Sequence, residues 1–117
     1  MNTSRKIKVP VMLKDGSRTI EHLDGIKFSA YVDNVRFWFA CHRTPGSAFH
    51  FTLSHYATGT RITDVPTITI QACLNDLKIA GKLTLEKFVA SKEKGRVYDV
   101  LIRAEKNPER YPVINTR

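Results

Sequence analysis

The sequence predicts an α+β domain: an N-terminal antiparallel β-meander of about five strands, with one face covered by two or three short C-terminal helices. Apolar residues alternate with polar ones through most of residues 7–56 and follow helical spacing from residue 70 onward. Strands that precede helices are typical of α+β domains and not of parallel, doubly wound sheets. The length of 117 residues suits one domain. We assign residues 1–107 to that domain and residues 108–117 to an extended tail.

The first hairpin is predicted from strict alternation in residues 7–13, which indicates a strand with one buried face. Asp15-Gly16 follows and is a strong signal for a tight turn, so the chain should return through residues 18–23. Pro10 has no N–H to donate to a neighbouring strand. We therefore expect this hairpin at an edge of the sheet, and we expect the next turn at Asp24-Gly25.

The most informative part of the sequence is a second hairpin, in which residues 26–32 and 35–42 flank a two-residue turn at Asp33-Asn34. A two-residue turn fixes the register of the strands that it joins. In that register one face is wholly apolar, with the pairs Val32–Val35, Ala30–Phe37, Phe28–Phe39 and Ile26–Cys41. The opposite face carries the pairs Tyr31–Arg36, Ser29–Trp38 and Lys27–Ala40.

A third strand over residues 48–56 is predicted to return beside residues 35–42. Pairing Cys41 with Phe49 would also pair Phe39 with Phe51, so one face would again be apolar. The other face would then pair Ala40 with His50. Agreement between two hairpins on the buried face of their shared strand supports the sheet. Arg61-Ile62 is expected to add a short further strand.

The C-terminal half is predicted to be helical. Residues 70–80 carry apolar side chains at helical spacing, and Gly81 stands where a helix C-terminus favours glycine. We expect Asp64 or Thr67 to cap this helix at its N-terminus.

Two further helices are expected. The first begins at a capping Thr84 and ends at Gly95. The second covers residues 97–104, although the β-branched residues there leave a strand as the alternative.

The composition favours an acidic partner. Nineteen Lys and Arg against eleven Asp and Glu give a net charge of +8, which attracts nucleic acid or an anionic protein surface. The densest cluster, Lys92, Lys94 and Arg96, is interpreted as a solvated helix end. No apolar stretch is long enough to span a bilayer, and no secretory leader is recognised, so we expect a cytoplasmic protein that makes no membrane contact. Cys41 and Cys73 are then expected to be reduced and buried.

The candidate binding site is the face of the central hairpin that the helices leave uncovered. Rings and cations mixed on a rigid sheet are typical of single-stranded nucleic-acid binding, in which bases stack on rings and cations contact phosphates. Trp38 has alternative explanations: burial under another element such as the first hairpin or the C-terminal tail, burial in a homodimer, or contact with a protein partner. The residues that we assign to nucleic-acid or partner binding are Lys27, Tyr31, Arg36, Trp38 and His50, and His42 and Tyr56 are placed on the same face.

No catalytic or metal-binding pattern is found in the sequence. Cys41 and His42 are adjacent on a predicted strand and so point to opposite faces, which excludes a hydrogen-bonded dyad. His50 and His55 are also on opposite faces, and no zinc-type spacing is present. His42 and His50 are expected to be ordinary surface histidines, and His55 to be half-buried and hydrogen-bonded. Phosphate-binding glycine motifs are absent. We therefore expect no enzymatic activity, no cofactor and no metal.

These observations favour a small non-enzymatic nucleic-acid-binding protein, with single strands preferred. The alternative is a protein-binding inhibitor or adaptor, of the accessory or mobile-element type. It would engage an acidic protein through the same face or through a sheet edge, or form a homodimer.

Overall fold

The computed structural model describes residues 5–12 and 18–106, and it confirms the α+β fold. Five strands form one antiparallel sheet in the order β1-β2-β3-β4-β5, and three helices follow. The strands are β1 (Arg5–Met12), β2 (Arg18–Val32), β3 (Val35–Arg43), β4 (Phe51–His55) and β5 (Arg61–Val65). The helices are α1 (Thr67–Ala72), α2 (Leu77–Ala90) and α3 (Arg96–Lys106).

The helices pack on one face of this sheet and enclose a single aromatic core. Phe37 is central, because its ring centroid lies 6.5 Å from that of Phe39 and 6.0 Å from that of Tyr98 on α3. Phe28 lies 5.8 Å from Phe39. Full burial of such a side chain contributes about 1.5–3 kcal/mol to the free energy of unfolding. The buried cluster comprises Phe28, Val32, Phe37, Phe39, Cys41, Leu53, Val65, Ile70, Leu77, Ala80, Leu85, Val97 and Leu101.

The predicted register of the central hairpin is confirmed. Val32 pairs with Val35, and the pairing continues to Ile26 opposite Cys41. Asp33 and Asn34 have φ angles of 51° and 65°, which are the positive values that a tight two-residue hairpin requires. The turn chemistry and the apolar alternation therefore select the same register.

The predicted turn at Asp24-Gly25 is wrong, because β2 runs through both residues without interruption. Gly25 lies opposite His42 on β3. A Cβ at Gly25 would lie 2.6 Å from the Cys41 carbonyl oxygen and 2.7 Å from His42 Cα. Glycine is needed here because the backbones of β2 and β3 approach too closely for a side chain.

The predicted pairing of β4 with β3 is displaced by four residues. Cys41 lies opposite Leu53 rather than Phe49, and Arg43 lies opposite Phe51. The displacement is even, so each residue keeps its face of the sheet. The intervening segment, residues 44–50, is a loop instead of the start of a strand. Phe49 is accordingly 81% exposed and not part of the core.

Polar contacts close this loop. The Thr44 N–H donates to the His50 carbonyl over 2.8 Å, and the Ser47 hydroxyl accepts the N–H of His50 over 3.1 Å. The Arg43 guanidinium also donates to the Ala48 carbonyl. These bonds close the loop, and β4 begins after it at Phe51.

The helix boundaries differ from those predicted. The first predicted helix is divided at Leu74 and Asn75, which have positive φ angles of 54° and 63°. Asp76 then caps α2 by accepting the N–H groups of Lys78 and Ile79. Gly81 lies inside α2, where a Cβ would be 2.7 Å from the Phe28 ring, and so it is a packing residue rather than a terminator.

The predicted helix caps are also wrong. Pro66 is the N-cap of α1 and provides no side-chain bond. Thr84 lies within α2 and donates its hydroxyl to the Ala80 carbonyl.

Several remaining expectations are met. Residues 96–106 are helical, so the strand alternative is excluded there, and the short strand at Arg61 is present as β5. Met12 lies opposite Arg18 and β1 is an edge strand, as predicted for the first hairpin. The Asp15-Gly16 turn and the tail over residues 108–117 lie outside the described residues. Among the residues described, no helix is both long enough and apolar enough to cross a bilayer.

Replacing Gly25 with alanine is expected to lower the free energy of unfolding by about 1–3 kcal/mol, because the new methyl group meets backbone atoms of β3. Urea denaturation monitored by circular dichroism measures the change. Thr19→Ala on the same strand is the control, since Thr19 is exposed and should cost less than about 1 kcal/mol. Equal stabilities of the two variants would contradict the close approach assigned to Gly25.

Candidate functional site

Four of the five predicted site residues lie together on the face of β2 and β3 opposite the helices. Tyr31 pairs with Arg36 across the two strands, and Lys27 pairs with Ala40. Trp38 lies opposite Ser29, between these two pairs. The alternation of the central hairpin directs all four side chains away from the aromatic core.

Lysine and arginine side chains are stacked on the aromatic rings of this face. Lys27 Nζ lies 4.6 Å from the centroid of the Trp38 ring and 4.7 Å from that of Tyr56. The guanidinium carbon of Arg36 lies 4.6 Å from the Trp38 ring. These distances are within the range of cation–π contacts. We call Lys27, Tyr31, Arg36, Trp38 and Tyr56 the basic-aromatic cluster.

The displaced register of β4 brings Tyr56 into the cluster. The predicted register placed Thr52 beside Trp38, whereas in the structure the Tyr56 N–H donates to the Trp38 carbonyl over 3.0 Å. The sequence placed Tyr56 on the correct face of the sheet but not opposite the correct residue of β3. Correct placement required knowing that residues 44–50 form a loop.

Tyr31 has the most accessible of the three rings in the cluster. Its exposure is 71%, whereas Trp38 and Tyr56 are half-buried. Since Lys27 and Arg36 both contact the Trp38 ring, this ring holds two cations in place on the surface. Tyr31 is therefore the ring of the cluster that is most open to contact from outside.

His50, the fifth predicted site residue, is not brought to the cluster. It lies in the loop of residues 44–50, and its Nδ1 is 2.8 Å from the Ser47 hydroxyl. This loop follows Arg43 at the end of β3, and Arg43 is five residues along the strand from Trp38. Five strand residues span about 17 Å, so His50 and Trp38 are at different ends of the sheet.

His42 is buried, although the sequence predicted a surface histidine. Its Nδ1–H donates to the Arg43 carbonyl over 2.9 Å, and its Nε2 lies 2.8 Å from the Ser54 hydroxyl. A carbonyl oxygen only accepts, so these contacts suit a neutral imidazole with Nε2 accepting. Burial lowers the pKa of His42 from its ordinary value near 6.5, and the bond to the Arg43 carbonyl opposes that shift.

The first hairpin explains why the part of this sheet face that contains His42 is buried. A Cβ at Gly59, in the loop after β4, would overlap the Pro10 ring, so β1 reaches this loop. In a flat sheet β1 and this loop would be far apart, because Pro10 pairs with Ile20 beyond the end of β3. The hairpin must therefore fold back over the sheet. The buried residues of this face are Ala40, His42, Thr52 and Ser54.

Cys41 and His55 are both buried in the core. Burial raises the pKa of the Cys41 thiol to about 12, which keeps it protonated and poorly nucleophilic. His55 is fully buried, with Nε2 2.5 Å from a Glu105 carboxylate oxygen and Nδ1 2.8 Å from the Thr58 hydroxyl. It thus joins β4 to α3. In the part of the chain that the structure describes, no three His, Cys, Asp or Glu side chains converge as a metal site.

Comparison of the chain with protein-family models, curated proteins and solved structures gives no match.

His42 is expected to make stability depend on pH. Its pKa is lower in the folded chain, so the unfolded chain binds more protons just below about pH 6.5. The free energy of unfolding should therefore fall as the pH drops from about 7.5 to 5.5, by at most about 1.4 kcal/mol per pH unit from this residue. Urea denaturation across that range tests this. His42→Gln should show a shallower dependence, and an unchanged dependence would contradict the assignment.

Proposed function

We propose that the protein is a small non-enzymatic nucleic-acid-binding protein that holds single strands on the basic-aromatic cluster. The observation that carries this proposal is the contact of Lys27 and Arg36 with the Trp38 ring, beside the exposed ring of Tyr31. Cations and rings next to one another on a rigid surface match the alternating phosphates and bases of a single strand. The net charge of +8 adds a long-range attraction.

Each residue has a distinct role in this proposal. Lys27 and Arg36 contact phosphates, and the rings beneath them limit the side-chain entropy that binding would otherwise cost. Tyr31 stacks on a base, which contributes about 1–3 kcal/mol. Trp38 and Tyr56 position the cations. Stacking and phosphate contact are tolerant of sequence, so we expect only a modest sequence preference.

The shape of the cluster favours single strands over duplexes. It lies on β2 and β3, and α2 packs on the other face of these two strands, so the hairpin is not a free ribbon. Reading a duplex in its major groove requires a helix or a β-ribbon that enters the groove. Bases of a single strand are unpaired and can turn their faces toward Tyr31.

Trp38 fluorescence tests the proposal directly, because Trp38 is the only tryptophan in the chain. Titration with a deoxythymidine oligonucleotide should quench the emission, and the affinity should fall between about 50 and 200 mM salt as counterions are released. Duplex DNA of equal length should bind more weakly. An emission that no nucleic acid changes, at either salt concentration, would contradict the proposal.

Substitutions then assign the roles within this experiment. Arg36→Gln should reduce the slope of log affinity against log salt by about 0.7, the value for one phosphate contact on a single strand. Tyr31→Ala should weaken binding by about 5- to 150-fold, and Tyr31→Phe should retain most of it. Lys78→Gln removes the same charge from an exposed position on α2 and should leave the slope unchanged.

A groove beside β2 favours the second candidate, a protein-binding adaptor. The groove lies between residues 29–33 and α2, and Leu85 and Val89 contribute to its wall. At Tyr31, one edge of β2 pairs with β3. Among the described residues, no strand pairs with the opposite edge of β2 at this position. An extended peptide would add to the sheet here through backbone hydrogen bonds.

Nuclease treatment separates the two candidates. A protein partner held at the edge of β2 should remain bound after nucleic acid is digested, since its bonds are to the protein backbone. Affinity purification before and after nuclease treatment measures this, with the mass of the purified chain showing whether the partner is a second copy. Loss of the partner on digestion would contradict strand addition.

A further inference from the structure

A second pocket lies on the helix side of the sheet, away from the basic-aromatic cluster. It has a volume of about 240 Å³ and is formed by β5, the end of α2 and α3. Its apolar wall comes from all three elements. The apolar side chains that line it include Ile62, Phe88, Val97, Val100 and Leu101.

Three cations surround this apolar wall. Arg61, Lys92 and Arg96 all line the pocket. Lys92 Nζ lies 5.0 Å from the centroid of the Phe88 ring, which holds the ammonium at the pocket. Asp64 pairs with Arg61 over 2.8 Å and neutralises part of this charge, so Lys92 and Arg96 provide most of the positive potential.

We propose that this pocket binds a small amphipathic carboxylate, with its apolar tail against Phe88, Val97 and Leu101 and its carboxylate near Lys92 and Arg96. The apolar wall selects a tail, and the cations select an anionic head group. An apolar cavity of about 150 Å³ holds one benzene molecule, so 240 Å³ suits a ligand of about ten non-hydrogen atoms.

The sequence predicted that Lys92, Lys94 and Arg96 would be a solvated helix end. In the structure, Lys92 and Arg96 line the pocket, whereas Lys94 does not.

Octanoate is the probe, because it has about ten non-hydrogen atoms. Titration of the full chain, followed by amide chemical shifts, should place the largest changes at Ile62, Val97, Val100 and Leu101. From hexanoate to octanoate the affinity should rise about fourfold per methylene, and decanoate should gain less because the pocket is then full. Absence of octanoate binding to the full chain, or shifts located elsewhere, would overturn the proposal.

Variants distinguish the contribution of the cations, which contact the carboxylate, from that of the apolar wall, which contacts the tail. Lys92→Gln combined with Arg96→Gln should weaken octanoate by about five- to tenfold. The same double variant should leave the weaker binding of the uncharged analogue octanol unchanged. Lys94→Gln is the matched control and should leave octanoate binding unchanged. An equal effect of the double variant on octanol and octanoate would contradict a role for the cations.

A further variant blocks the pocket at a position where substitution should not prevent folding. Val100 lines the pocket but is 44% exposed, so Val100→Glu should fold, as its amide spectrum would show. Its carboxylate would occupy the position of the head group and abolish octanoate binding. Unchanged octanoate binding in a folded Val100→Glu chain would overturn the proposal. Trp38 fluorescence should not respond to octanoate, so this result is independent of the nucleic-acid titration.

Discussion

The register between β2 and β3 is the constraint on which the rest of the structure depends. Two positive φ angles at Asp33 and Asn34 set it, and the alternation of side chains then assigns every residue of both strands to one face. Phe28 and Phe39 consequently meet the helices, whereas Lys27 and Trp38 meet each other on the opposite face. A slip by one residue would bury the cations and expose the aromatic core. The fold and the candidate binding surface thus follow from the same pairing.

Two glycines determine how closely other elements approach this pair of strands. Gly81 allows α2 to contact the Phe28 ring, and Gly25 allows the backbones of β2 and β3 to come together. In the sequence, each of these glycines predicts the end of an element, a turn at Gly25 and a helix end at Gly81. In the structure neither residue ends an element. Their function is to omit a side chain at a close contact, which is a tertiary property that no local pattern contains.

In the sheet, features that local sequence signals determine were predicted correctly, whereas features that tertiary contacts determine were not. The central hairpin was predictable because turn chemistry and apolar alternation act independently and agree. The register of β4 against β3 was not predictable from alternation, because displacement by four residues leaves every side chain on its predicted face. The polar contacts of Ser47 and Thr44 select the longer loop, and this moves Tyr56 beside Trp38 and leaves His50 at the other end of the sheet. The face of each cluster residue was therefore predictable, but the inclusion of Tyr56 and the exclusion of His50 were not.

The first hairpin also limits the extent of the candidate binding surface. Trp38 and His42 lie on the same face of β3, four residues apart, yet Trp38 is half-buried among cations and His42 is fully enclosed. The first hairpin covers the half that contains His42, where the neutral imidazole and Ser54 satisfy each other's polar atoms. The other half carries Lys27, Arg36 and the rings that they contact. The face is therefore buried where the first hairpin covers it, and its more open part carries cations that contact aromatic rings.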